Sequence, residues 1–157
     1  MIQRVQSLYL LISAVLTSLV LAFPLYTAPL EGSVIDVNFL GATWTSDGAV
    51  IGETSHVYVL ILVILSVVMS LVTIFMFNNR PLQMKLARFS GLLNTGLLAA
   101  IFFAIESAKD MPAGSMDVLG DYGLACLLPI GGMILGILAG RAILKDEVMV
   151  RSADRLR

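Results

Sequence analysis

The chain has one cysteine, Cys126, and one histidine, His56. A single thiol excludes an internal disulfide and two-cysteine redox chemistry. A single imidazole excludes the two-histidine clamp of a membrane cytochrome, and no Cys, Asp or Glu cluster at ligand spacing supports a zinc site. Charge is also scarce: 13% of the 157 residues are charged and 58% are hydrophobic, against about 25% charged in soluble domains. Water is therefore not the expected solvent. Four windows, Val5–Leu30, Thr54–Asn79, Phe89–Ile105 and Tyr122–Gly140, carry no charge at all. A spanning helix needs about 20 mostly apolar residues, within a range of about 17–25, so each window can cross a bilayer. The third does so with help from Arg88 reaching back to the interface.

The charges that exist are sorted. Arg4, then Arg80, Lys85 and Arg88, then Arg141, Lys145, Arg151, Arg155 and Arg157 fall on one side of these windows, leaving Lys109 alone on the other. Because basic loop residues set orientation, both termini are expected inside. The sequence therefore predicts an all-α integral membrane protein, a four-transmembrane-helix bundle with a small β-hairpin-like cap in the first outer loop. The spans are placed at about 5–26, 56–77, 86–106 and 122–144. The outer loops are about 27–55 and 107–121, and an inner tail covers 145–157. The run from Leu8 to Phe23 is longer than a signal-peptide core and no small-x-small triplet follows, so a retained span is expected.

Within the first outer loop, Ile35, Val37 and Phe39 alternate with Asp36 and Asn38, a period-two strand pattern. Asp47-Gly48 suits a tight reversal between Thr43-Trp44-Thr45 and Ala49-Val50-Ile51. The second outer loop contains Pro112, Gly114 and Gly120 without periodicity and reads as irregular. Trp44, Tyr9, Tyr26, Tyr58 and Tyr122 mostly lie near span ends, as interfacial aromatics do.

Gly132, Gly136 and Gly140 repeat every four residues on the fourth span, and Ala87, Gly91, Thr95 and Ala99 repeat likewise on the third. Small residues at that spacing let helix backbones approach closely in lipid, either within the bundle or against another protein. Pro129 predicts a kink in the fourth span. Asn94, the most polar side chain well inside a span, predicts an interhelical hydrogen bond, with Ser13, Thr17, Ser66, Ser70 and Thr73 as candidate partners. The inner residues Arg80, Lys85, Arg88, Arg141, Lys145, Arg151, Arg155 and Arg157 form a candidate docking face for an acidic partner or anionic lipid headgroups.

The terminal segments Met1-Ile2-Gln3-Arg4-Val5-Gln6-Ser7-Leu8-Tyr9-Leu10 and Lys145-Asp146-Glu147-Val148-Met149-Val150-Arg151-Ser152-Ala153-Asp154-Arg155-Leu156-Arg157, with the Asn79-Arg80-Pro81-Leu82-Gln83 turn, carry a resemblance. The whole chain resembles a family of small four-helix bacterial membrane proteins classed only as a domain of unknown function. Met149 departs from an expected leucine. The resemblance implies a Gram-negative inner membrane with periplasmic outer loops, and it implies no activity, cofactor or catalytic residue.

Three function classes follow. The first is a non-enzymatic accessory or scaffold protein that needs no cofactor, touches membrane lipids, binds a membrane-protein partner or itself, and does not bind nucleic acid. The second is a small transporter or channel subunit, disfavoured because no ionisable residue lies within the windows. The third is a membrane enzyme using His56 with Glu53 or Asp121 as an acid–base pair.

Overall fold

The computed structural model describes residues 5–30, 32–76, 79–112 and 119–154. Four helices, α1 (Val5–Leu19), α2 (Val57–Phe75), α3 (Arg80–Lys109) and α4 (Leu128–Asp154), pack side by side in ring order, each against the next and α4 against α1. A five-stranded antiparallel sheet covers one end of the ring. Its strands are β1 (Tyr26–Leu30), β2 (Ser33–Val37), β3 (Gly41–Ser46), β4 (Ala49–Ser55) and β5 (Asp121–Tyr122), in the order β4-β3-β2-β1-β5.

The sheet overturns the all-α expectation. A hairpin around Asp47-Gly48 does form, with φ of 50° at Asp47 and 79° at Gly48, the left-handed pair that matches a two-residue turn to the twist of its strands. Two further strands were not expected. β1 occupies residues read as the end of the first span and its following loop. The polypeptide ends α1 at Leu19, tightens through Val20, Leu21 and Ala22 with bonds three residues back, and enters the sheet at Tyr26. β5 joins the last residue of the loop placed at about 107–121 to the first of the span placed at about 122–144, and pairs Tyr122 with Tyr26 and Asp121 with Thr27. That loop therefore stitches the segment between α3 and α4 to the segment after α1. The residues between Pro112 and Leu119, with Gly114 among them, lie outside the described residues.

Alternation decides which sheet face is covered. Ile35, Val37 and Ala42 are buried, whereas Asp36 is exposed, so β2 and β3 lay their apolar face on α3. Trp44 follows Ala42 on that face and packs with Met111 and Gly52. Pro29 sits beyond the reach of the short β5, at an edge where its missing N–H removes no ladder bond.

Three helical stretches, Val57–Phe75, Pro81–Lys109 and Leu124–Met149, are long and apolar enough to cross a membrane. α1, at 15 described residues, extends about 22 Å at about 1.5 Å per residue, and the turns through Val20, Leu21 and Ala22 carry it further toward the sheet. Pro129 lies in the first turn of α4, after a 3-10 turn at Leu124–Cys126. A helix has no internal partner for N–H groups there, so the proline starts α4 and the expected mid-helix kink is corrected. The segment from Lys145 to Asp154 continues α4.

The helices are apolar outside, and their interior mixes apolar side chains such as Val63, Leu97 and Ile101 with a set of polar ones. On α2, Ile61, Ile64, Leu65, Val68, Leu71 and Val72 are exposed, while Ser66, Ser70 and Thr73 are buried. On α3, Leu92 and Phe103 are 64% and 73% exposed, while Gln83, Ser90 and Asn94 are buried. The exterior, not the core, departs from the arrangement of a water-soluble bundle.

Candidate functional site

Polar side chains meet along the interior of the ring. α2 and α3 run antiparallel, so residues advancing on one meet residues receding on the other. Gln83 Nε2 donates to Thr73 O at 3.1 Å, Ser90 Oγ meets Ser70 Oγ at 2.7 Å, and Asn94 Nδ2 donates to Ser66 Oγ at 2.9 Å. Asn94 also donates to Ser90 O at 3.0 Å and accepts from Thr17 Oγ1 at 2.8 Å. Ser13 Oγ donates to Gly132 O at 3.1 Å. Asn94 thus ties α3 to α1 and α2, using two of the hydroxyl partners expected for it, while Ser13 ties α1 to α4. Buried polar groups without partners would cost more than these bonds gain, so closing the network specifies how the helices pack.

The three glycines of the four-residue repeat on α4 meet three different surfaces. A Cβ at Gly132 would lie 2.5 Å from Asn94 Oδ1 and 3.0 Å from Thr17 Oγ1. At Gly136 it would lie 3.0 Å from both Cα and N of Gly91, and 3.5 Å from Ala87 O. At Gly140 it would meet only Arg88 Cγ, at 3.5 Å. Gly91 and Gly136 therefore bring α3 and α4 together backbone to backbone, with Ala87 buried beside them. Thr95 and Ala99 are exposed, and Thr95 Oγ1 bonds Gly91 O within its own helix.

Of the basic residues, Lys85, Arg88, Arg141 and Lys145 are exposed on the parts of α3 and α4 remote from the sheet. Arg80 begins α3 and Arg151 belongs to the last turn of α4, so the structure places both helix ends at that same end of the ring. Arg155 and Arg157 lie outside the described residues.

At the sheet end, Lys109 forms a cluster that sequence reasoning missed. Its Nζ lies 2.9 Å from Glu106 Oε1 and 3.3 Å from Tyr122 Oη, and 5.4 Å and 5.6 Å from the ring centres of Tyr26 and Tyr122. The two tyrosine rings meet edge to face at 5.3 Å. Burial pushes the Tyr26 phenol above its ordinary pKa, and the Lys109 ammonium partly opposes that rise. Lys109 thus fastens α3 to β1 and β5 at the sheet end. The signal for it was the isolation of Lys109 among acids and tyrosines, which had no position until β5 was paired.

His56 is 2% exposed, with its backbone N–H on Leu40 O at 2.7 Å and its ring 5.7 Å from that of Tyr58. Its Nε2 is buried without a hydrogen-bond partner, as is Trp44 Nε1. Among the described residues no hydrogen bond or ion pair joins His56 to Glu53 or Asp121, and no three His, Cys, Asp or Glu residues converge as metal ligands. Cys126 Sγ donates to Leu25 O at 3.0 Å, holding the start of α4 to the strand entry.

The family described as Domain of unknown function (DUF4293) matches residues 2–156, nearly the whole chain. No curated protein matches it.

Proposed function

The chain belongs to the DUF4293 family, and from that premise we propose that it is a non-enzymatic accessory or scaffold protein of the bacterial inner membrane. In this reading both termini are cytoplasmic, the sheet is periplasmic, and the protein acts by binding other membrane proteins. The membrane placement is supported by the apolar exterior of the helices, where Ile61, Ile64, Leu92 and Phe103 face outward. An apolar exterior of that extent is costly in water and neutral in lipid. Orientation is supported by the basic residues at the end remote from the sheet.

The observation that carries the binding role is the exposure of Lys85 and Lys145, with Arg88 and Arg141, on two adjacent helices at one end. These four form a basic surface suited to an acidic partner. Attraction across such a surface is screened over about 10 Å at 0.1 M salt and about 3 Å at 1 M. The test is purification from native membranes in mild detergent, with bound proteins identified at low and high salt. A specific partner should be retained at low salt, released at high salt, and lost from the Lys85→Glu, Lys145→Glu double variant. A partner that this variant keeps undiminished would overturn the docking face. Solute flux through purified protein in liposomes would replace the accessory role with a transporter.

A further inference from the structure

A groove of about 390 Å³ runs between α3 and α4 at the basic end, within the range of about 300–1,000 Å³ usual for small-ligand sites. Gly91 and Gly140 line its base, where missing side chains leave the space, and Leu92, Ile137 and Leu144 form apolar walls exposed at 64%, 47% and 42%. Arg88 and Arg141 close the end nearest the basic surface. From Arg88 to Thr95 the groove extends toward the sheet by about 10 Å, at about 1.5 Å per residue. It therefore offers charge at one end and hydrocarbon contact beyond it.

The two guanidinium groups are underused. Arg88 Nη2 reaches Met84 Sδ at 3.8 Å, a weak acceptor, and among the described residues neither arginine pairs with a carboxylate. Guanidinium donors in a fixed fork match phosphate oxygens two at a time. We propose that this groove binds one anionic phospholipid, with its phosphate between Arg88 and Arg141 and an acyl chain along Gly91, Leu92 and Ile137. The assignment rests on the membrane placement above and reaches a site which that placement does not itself require. A neighbouring protein span fits less well, because a single carboxylate brings two oxygens to two guanidinium forks, whereas a phosphate can accept from both. A phospholipid carries its phosphate at the interface and its hydrocarbon just below, in the order the groove presents.

The experiment uses the whole protein, delipidated in mild detergent and titrated with phosphatidylglycerol, phosphatidylcholine or inorganic phosphate. Retention is followed by native mass spectrometry and stabilisation by thermal melting. The wild type should hold one phosphatidylglycerol per chain, about tenfold more tightly than phosphatidylcholine, a difference of about 1.4 kcal/mol. Arg88→Gln and Arg141→Gln should each weaken that retention about tenfold. Gly140→Leu should abolish it with every charge intact, because the new side chain fills the groove from a Cβ that lies 3.5 Å from the flexible stem of Arg88. Its melting temperature without lipid should equal that of the wild type.

Equal retention of both lipids, equal stabilisation by inorganic phosphate, or undiminished phosphatidylglycerol on Gly140→Leu would each overturn the site. So would a wild-type dimer that Gly140→Leu dissociates without changing lipid retention, since a second copy would then occupy the groove. The other readings fail separately: a protein that stays dispersed without detergent brings down the membrane placement, whereas the Lys85→Glu, Lys145→Glu test of protein docking leaves both groove arginines intact.

Discussion

Gly132→Ala is the sharpest probe of the interior because its methyl group would enter the Asn94 network. The new carbon would lie 2.5 Å from Asn94 Oδ1, 2.9 Å from Asn94 Cγ and 3.0 Å from Thr17 Oγ1, well inside ordinary contact. The amide must move, and its bonds to Thr17 and Ser66 then lengthen or break. Interhelical hydrogen bonds in membranes average about 0.6 kcal/mol and reach about 1.7, and overpacking adds about 1–3 kcal/mol. The single substitution should therefore cost about 2–4 kcal/mol. In an Asn94→Ala background the amide is gone and the same methyl group fills vacated space, so its added cost should fall below about 1 kcal/mol. Reversible unfolding of the four proteins in mixed detergent gives the coupling, expected at about 2 kcal/mol. The control is Gly140→Ala, whose Cβ meets only Arg88 Cγ at 3.5 Å, and it should be neutral. Additivity of Gly132→Ala and Asn94→Ala would refute the contact between them.

Lys109→Met removes the 2.9 Å bond to Glu106 and the contacts to Tyr26 and Tyr122; an exposed pair and a cation over an aromatic ring are each worth up to about 1 kcal/mol. Amide exchange at Tyr122 and on the β5 side of β1 should accelerate about 5–30-fold, with the β3–β4 hairpin unchanged, and equal protection in both proteins would show that Lys109 does not hold β5. In a Cys126→Ala background, a cysteine at Asp47 should react with an impermeant thiol reagent on sealed cells while one at Ser152 stays unlabelled; labelling at position 152 would refute the orientation.

Local pattern determined much of this protein. The charge-free windows foretell α2, α3 and α4, because length and apolarity are properties of each segment alone. Asp47-Gly48 and the alternation from Ile35 to Phe39 foretell the hairpin and the covered face, because turn chemistry and strand period act over a few residues. The sequence also foretold that Asn94 needs hydroxyl partners. It could not choose among Ser13, Thr17, Ser66, Ser70 and Thr73, since that depends on which helices become neighbours.

The tertiary structure alone decided the rest. Tyr26–Leu30 reads locally as the end of an apolar run, and Asp121–Tyr122 has no strand signal at two residues. Both become strands because each supplies the backbone partners the other lacks, together with β2, and such pairing leaves no periodic mark in either segment. The same holds for Gly132, Gly136 and Gly140. Their four-residue spacing puts them on one face of α4, but one meets an amide, one a backbone and one an arginine stem. A repeat fixes direction around its own helix, and what waits in that direction is set by the crossing of α1 and α3 over it.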